Sequence, residues 1–219
     1  MKLLQGETMP APDKQMRSGG VILAAGQSKR MQWPSALLPL PGGSTLLEEQ
    51  VKLLSDISCN PIVVVTGAHT LLIRERLPQL QVTWGHNERW QGGIFASLQI
   101  GLELSSAADT AGTIILPVTA AGVNAATFKA LHSAATSMTK AAAIIPLFHG
   151  KRGYPLYASR PFMKKLIALD VAAHDAKLEQ QLQKASDIVE LSVDDHRTTI
   201  DIGTPQEWRQ YLNSLSVHE

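Results

Sequence analysis

Val21-Ile-Leu-Ala-Ala-Gly-Gln-Ser-Lys-Arg-Met31 is the stretch on which the fold turns. An apolar run ends in small residues and passes into a polar, basic turn. Residues 20–25 therefore read as a strand ended by Gly26. Small residues let backbone N–H groups approach an anion closely, and Lys29 and Arg30 add positive charge beside them. Phosphate binding is the chemistry this suggests. The turn is not a P-loop, because GxxxxGK(S/T) is absent, and no GxGxxG follows the strand. An ordinary βα turn with exposed basic residues is the alternative.

Working outward, short β-branched runs alternate with helical spacings. Residues 44–57 read as a helix, 61–66 (PIVVVT) as a strand buried on both faces, 69–77 as a helix stopped by Pro78, and 81–84 as a strand. A helix over 93–104, a strand over 113–118 and a helix over 124–137 follow. Strands are expected at 141–146, 154–159, 188–192 and 198–202, and helices at 160–169, 176–185 and 205–215. Alternation at this spacing implies right-handed βαβ units, hence an α/β fold with a mainly parallel sheet. Ligands of such sheets bind beyond the carboxyl ends of the strands. The loops at 26–39, 66–69, 86–93, 118–122 and 203–205 become the places to look.

Composition bounds the function. The chain has 219 residues, 44% hydrophobic and 18% charged, enough for one sizeable core and against wholesale disorder. A net charge of +1 argues against nucleic acid as a partner. No run approaches the length of a membrane helix, so no membrane partner is expected. Cys59 stands alone and forms no internal disulfide. Residues 1–18 read as a disordered leader before a single domain over 19–215, and the cytoplasm as the default location.

Several ordered segments resemble one family. LAAGQSKRM with the tail LLPLPGGSTLLE, PIVVVTG at 61–67, NERWQGGIFASL at 87–98 with Gly101, HGKRGYPL at 149–156 and DIGTP at 201–205 are similar to the motifs of MobA-like nucleotidyltransferases. Among these they most resemble the molybdenum cofactor cytidylyltransferases. The resemblance implies a Rossmann-like three-layer α/β/α sandwich. It implies attack by a substrate phosphate on the α-phosphorus of a nucleoside triphosphate, with pyrophosphate released and Mg²⁺ as cofactor. CTP is the implied nucleotide, molybdopterin the implied acceptor, and a molybdoenzyme the implied partner. Carried over position by position, the nucleotide site comprises Leu23, Ala24, Ala25, Gly26, Ser28, Arg30, Thr66, Gly67, Asn87 and Ser97, with Arg30 catalytic.

Other family positions depart. Gln32 replaces a glycine, Ser35 the lysine, Thr119 the metal-binding aspartate of D-x-P, Tyr154 the histidine of G-H-P, and Gly203 the second aspartate of D-I-D-T-P, leaving Asp201. A hydroxyl is a poor substitute for a carboxylate at Mg²⁺. Two functions therefore stand side by side: a nucleotidyltransferase, and a degenerate relative that binds nucleotide or molybdopterin as a carrier, chaperone or regulator. Asp170, His174 and Asp175 read as a surface cluster at a helix end, and Asp194, Asp195 and His196 as a polar turn between two strands, rather than as metal sites. His69 and Lys29 read as solvated, Trp90 and Phe95 as core caps or flanks of a bound ring, and Cys59 as structural.

Overall fold

The computed structural model describes residues 17–216. The expected leader lies outside these residues except at its end, where Ser18 already opens the first strand. The elements in order are β1 (Ser18–Ala24), α1 (Leu46–Asp56), β2 (Ile62–Thr66), α2 (Thr70–Arg76), β3 (Thr83–His86), α3 (Ile94–Ser106), β4 (Gly112–Pro117) and α4 (Ala125–Ser137). The second half adds β5 (Ala143–Phe148), β6 (Lys151–Arg152), β7 (Leu156–Ser159), α5 (Arg160–Ile167), α6 (Leu178–Lys184), β8 (Ile188–Ser192) and α7 (Pro205–Ser216). No described helix is long and apolar enough to cross a membrane.

The strands form one eight-stranded sheet in the order β3-β2-β1-β4-β7-β5-β6, with β8 on β5. β1 runs parallel to β2 and β4, β2 to β3, and β5 to β8, while β7 is antiparallel to both β4 and β5. The mainly parallel expectation holds, with β6 and β7 as the exception.

Alternation along β1 divides the core. Ile22 and Ala24 face the layer built by α1, α2 and α4, among Leu47, Leu54, Ile73, Phe128 and Leu131. Val21 and Leu23 face the opposite layer, among Phe95, Leu98, Leu102, Met163 and Leu166 of α3 and α5. Continuous apolar strands are needed for this, because helices cover both faces. The result is the expected three-layer α/β/α sandwich. α7 closes the ends of the loops, seating Trp208 and Tyr211 against Met31, Leu38 and Ala121.

Several strand expectations shift: β1 starts at Ser18 rather than 20, β5 at Ala143 rather than 141 and β7 at Leu156 rather than 154. Residues 81–82 sit in a turn, with Val82 N–H donating to the Leu80 carbonyl at 3.1 Å, so β3 starts at Thr83. Residues 198–202 form no strand. Asp195 is buried, and its carboxylate accepts from the Arg197 amide at 3.1 Å, winding His196–Thr199 into a 3-10 turn. The same carboxylate accepts from the Asn124 amide and the Thr127 hydroxyl, each at 2.8 Å, at the start of α4. A side-chain cap thus overrides the β-branched signal of Thr198-Thr199-Ile200.

Candidate functional site

The turn after β1 is shaped by its own bonds. Ser28 and Gln32 have φ of 50° and 58°, and the Gln32 amide donates to the Ser28 carbonyl at 3.0 Å. The Ser28 hydroxyl accepts from the Ser35 amide at 3.2 Å and pairs with the Ser35 hydroxyl at 3.0 Å. Ser35 is buried and holds the far end of the loop to its near end. His69 Nε2 pairs with the Gln27 carbonyl at 3.0 Å. No described carbonyl accepts from the amides of Gly26 to Met31. They remain available to an anion, as a binding turn requires.

A cleft of about 210 Å³ lies against this turn. Leu23, Ala24, Ala25, Gly26, Ser28 and Ser35 line one side. Trp90, Gly93, Ile94 and Ser97 line another, at the N-terminus of α3, where the helix dipole favours negative charge. Gly93, at φ 113°, turns the chain into that helix. A second cavity of about 450 Å³ adjoins the first and shares Ile94, Pro117 and Thr119 with it. Arg152, Tyr154, Glu179, Thr198, Thr199 and Asp201 also line it.

Of the residues expected from the sequence, Leu23, Ala24, Ala25, Gly26, Ser28 and Ser97 line the first cleft, with Ser35 and Thr119. Tyr154 lines the second. Thr66, Gly67, Asn87, Arg30 and Gly203 stand outside both linings. Thr66 is fully buried, donating to the Gly85 carbonyl at 3.1 Å and accepting from Thr70 at 3.0 Å. Gly67 permits a close approach: a Cβ there would lie 2.6 Å from the Ala25 carbonyl oxygen and 2.7 Å from Trp90 Cβ. Asn87 is buried and spent internally. Its amide nitrogen donates to Ser97 Oγ at 2.9 Å, and its oxygen accepts from the Arg89 amide at 2.9 Å. It braces β3 against α3 beside the cleft.

Arg30 is exposed, and its guanidinium lies over Gly203, with Nη2 2.6 Å from where a Cβ would stand. Glu207 Oε2 lies 3.7 Å from that same point and accepts from the Gly203 amide at 2.8 Å. That bond, the Thr204 hydroxyl and the nearby Arg30 charge hold the Glu207 carboxyl below its ordinary range against a small opposing effect of burial. The Ile202 amide donates to the Thr119 carbonyl at 2.9 Å, placing 119 and 203 side by side.

Two positioning residues carried little signal in the sequence. Gln50 projects from the buried face of α1. Its Nε2 donates to the carbonyls of Val118 at 3.0 Å and Ala120 at 2.9 Å, fixing the loop that carries Thr119. Its place among Leu46, Leu47, Val51 and Leu54 marked it as a polar residue on an apolar face. The other is Asp195, whose cap anchors the wall formed by Thr198 and Thr199.

Burial and the charges of Glu179 and Asp201 push the Tyr154 hydroxyl up to about 12, so at neutral pH it stays protonated in a residue that lines the second cavity. Burial also pushes the Cys59 thiol up to about 12, an inert thiol in keeping with a structural role. Phe95 is buried in the core, whereas Trp90 lines the cleft. Asp170 and Asp175 are engaged in local bonds, to the Ala172 amide and to Lys184 and Gln181. Among the described residues no group of three His, Cys, Asp or Glu is placed to hold a metal ion.

A helix-covered, mainly parallel sheet with a small-residue turn and adjoining clefts at its carboxyl edge has the fold of the nucleotidyltransferases. A solved nucleotidyl transferase from Methanothermobacter superposes with a TM-score of 0.76 at 20% identity, covering 93% of this chain and 99% of that one. Rv0371c of Mycobacterium tuberculosis, solved as a complex with manganese, superposes at 0.72 with 20% identity, covering 90% of this chain and 98% of that one. At such identities these likenesses show the fold. The chain belongs to the family of the MobA-like NTP transferase domain, whose model matches residues 20–189. A probable molybdenum cofactor guanylyltransferase of Mycobacterium marinum is 27% identical over 185 residues, 84% of this chain and 88% of that protein.

Proposed function

We propose that the chain binds a nucleoside triphosphate in the smaller cleft and a phosphorylated acceptor of the molybdopterin class in the larger one, and joins them by nucleotidyl transfer. An acceptor phosphate oxygen bonds to the α-phosphorus, the α–β phosphoanhydride bond breaks, and pyrophosphate leaves. Such a step needs positioning and charge neutralisation more than covalent help. The observation that carries the reading is the wall of Ile94, Pro117 and Thr119 common to the two cavities. A nucleotide and an acceptor on either side of it would meet at Thr119. The unpaired amides of residues 26–31 would hold the triphosphate, with Arg30 beside them. The second cavity offers the acceptor Tyr154, Arg152 and Thr199.

The base is proposed to be guanine, following the name of the curated relative; the resemblance to the cytidylyltransferases implies CTP instead, and the two nucleotides are compared directly. Pyrophosphate release from GTP or CTP with a molybdopterin acceptor, lost in Arg30→Ala, supports transfer. Nucleotide binding without turnover supports the second reading, a carrier, which the neutral residues Thr119 and Gly203 favour. Failure to bind either nucleotide or the molybdopterin acceptor refutes both.

A further inference from the structure

Mg²⁺, which the family resemblance implies, does not fit the residues present. The two positions that should supply carboxylates hold Thr119 and Gly203, the nearby carboxylates Asp201 and Glu179 line the second cavity and not the cleft against the phosphate turn, and the described residues offer no trio of metal donors. A hard divalent cation selects charged oxygen ligands, and a hydroxyl with a bare backbone supplies none. We infer that this chain grips a polyphosphate without a divalent ion, the guanidinium of Arg30 standing at the vacated carboxylate position as a built-in cation. The inference rests on the proposed nucleotide reading.

Three observations converge on Arg30. Its Nη2 lies 2.6 Å from where a side chain at 203 would begin, so the guanidinium and a residue larger than glycine compete for one place. Glu207 lies 3.7 Å from the same point, is fixed by the Gly203 amide at 2.8 Å, and feels the Arg30 charge as a small favourable effect. Position 203 in turn is tied beside Thr119, at the junction of the cavities, by the bond from Ile202 to Thr119 at 2.9 Å. A cation thus stands where the family chemistry calls for cationic charge. A guanidinium stays charged at every working pH and presents a planar fork that matches two phosphate oxygens. A second cation bound at Glu207 would face that fixed positive charge at close range.

Calorimetric titration of the full chain with GTP, CTP and inorganic tripolyphosphate, in excess EDTA and then in millimolar Mg²⁺ or Mn²⁺, tests this. The dissociation constants in EDTA should lie within about threefold of those with metal, well short of the tenfold step of a lost charged contact. Arg30→Ala should weaken binding in EDTA by about tenfold to a hundredfold, the loss a charge-assisted bond carries. Arg30→Lys should fall between, keeping the charge and losing the fork. Glu207→Gln should tighten tripolyphosphate by about twofold to fivefold by removing a negative charge from beside the guanidinium. Circular dichroism confirms the fold of each variant. Binding at least tenfold tighter with metal, or unchanged in Arg30→Ala, overturns the inference and leaves the nucleotide reading standing. Absence of binding under both conditions overturns the nucleotide reading, and the inference with it.

Discussion

Replacing Gln50 by leucine should loosen the loop that carries Thr119. Gln50 is buried at 2% exposure, and its Nε2 donates to the Val118 and Ala120 carbonyls at 3.0 and 2.9 Å. Both bonds are buried, so leucine leaves two carbonyls without a donor, at about 1–3 kcal/mol each. The Oε1 atom has no partner, and removing it returns about 1–3 kcal/mol. Leucine keeps nearly the same volume, so little cavity cost is added. The net loss is about 2 kcal/mol, which lowers the melting temperature of a chain this size by about 4–8 °C. Gln50→Glu adds a sign to the test. At neutral pH a carboxylate faces two carbonyls, whereas the protonated acid can donate to one. The glutamate variant should therefore recover part of its stability between pH 7 and pH 5. Urea unfolding gives the free energy and its slope, and nucleotide titration of the folded variant gives the effect on the site. A loss below about 0.5 kcal/mol in Gln50→Leu, with no recovery of Gln50→Glu in acid, would refute the argument.

Gly67→Ala should destabilise by about 1–3 kcal/mol and weaken GTP binding, because its Cβ meets the Ala25 carbonyl at 2.6 Å and displaces the first loop; thermal unfolding with calorimetry reads both. Tyr154→Phe should weaken binding of a molybdopterin acceptor by about fivefold to tenfold and leave GTP affinity unchanged, since Tyr154 lines the second cavity and not the first; equal losses of both ligands would contradict the assignment. Burial alone would raise the Glu48 carboxyl, but bonds from the Thr45 amide and hydroxyl and from Gln79 hold it below its ordinary value of 4.5. A carboxyl lowered by folding stabilises above its unfolded value, and that contribution fades as pH falls through the folded one. Glu48→Gln should therefore unfold more easily at neutral pH and converge with the parent as the pH falls below 4.5 and through the lowered folded value; parallel stability curves throughout the acid range would count against the capping box.

The layered architecture was legible because its cause is local. β1, β2 and β4 are unbroken apolar runs, and only a sheet covered on both faces asks for that. β7 reversed direction for a reason no local pattern carries: the turn at His149-Gly150, with φ of 46° and 78°, sends the chain back along β5. The expected strand at 198–202 is absent because the polar turn before it carries a buried carboxylate, Asp195, whose cap on the Arg197 amide no local pattern reveals. Within the site, the turn after β1 announced itself through small residues and paired cations. Asn87 and Ser97 fell where the family motif put them, yet they are bonded to each other at 2.9 Å, and spacing does not reveal that a polar side chain is already spent. Gln50 acts across 68 and 70 residues and Glu207 across 4, through backbone groups that carry no sequence identity.

The central claim is that the turn from Gly26 to Met31 holds a polyanion through free backbone amides. Amide chemical-shift mapping of the isotopically labelled chain during GTP titration in EDTA tests it most directly. Saturable shifts concentrated at Gly26, Gln27, Ser28, Lys29 and Arg30, with smaller ones at the start of α3, are the predicted result. Shifts confined to another face of the molecule, with these amides unmoved at saturation, would contradict it.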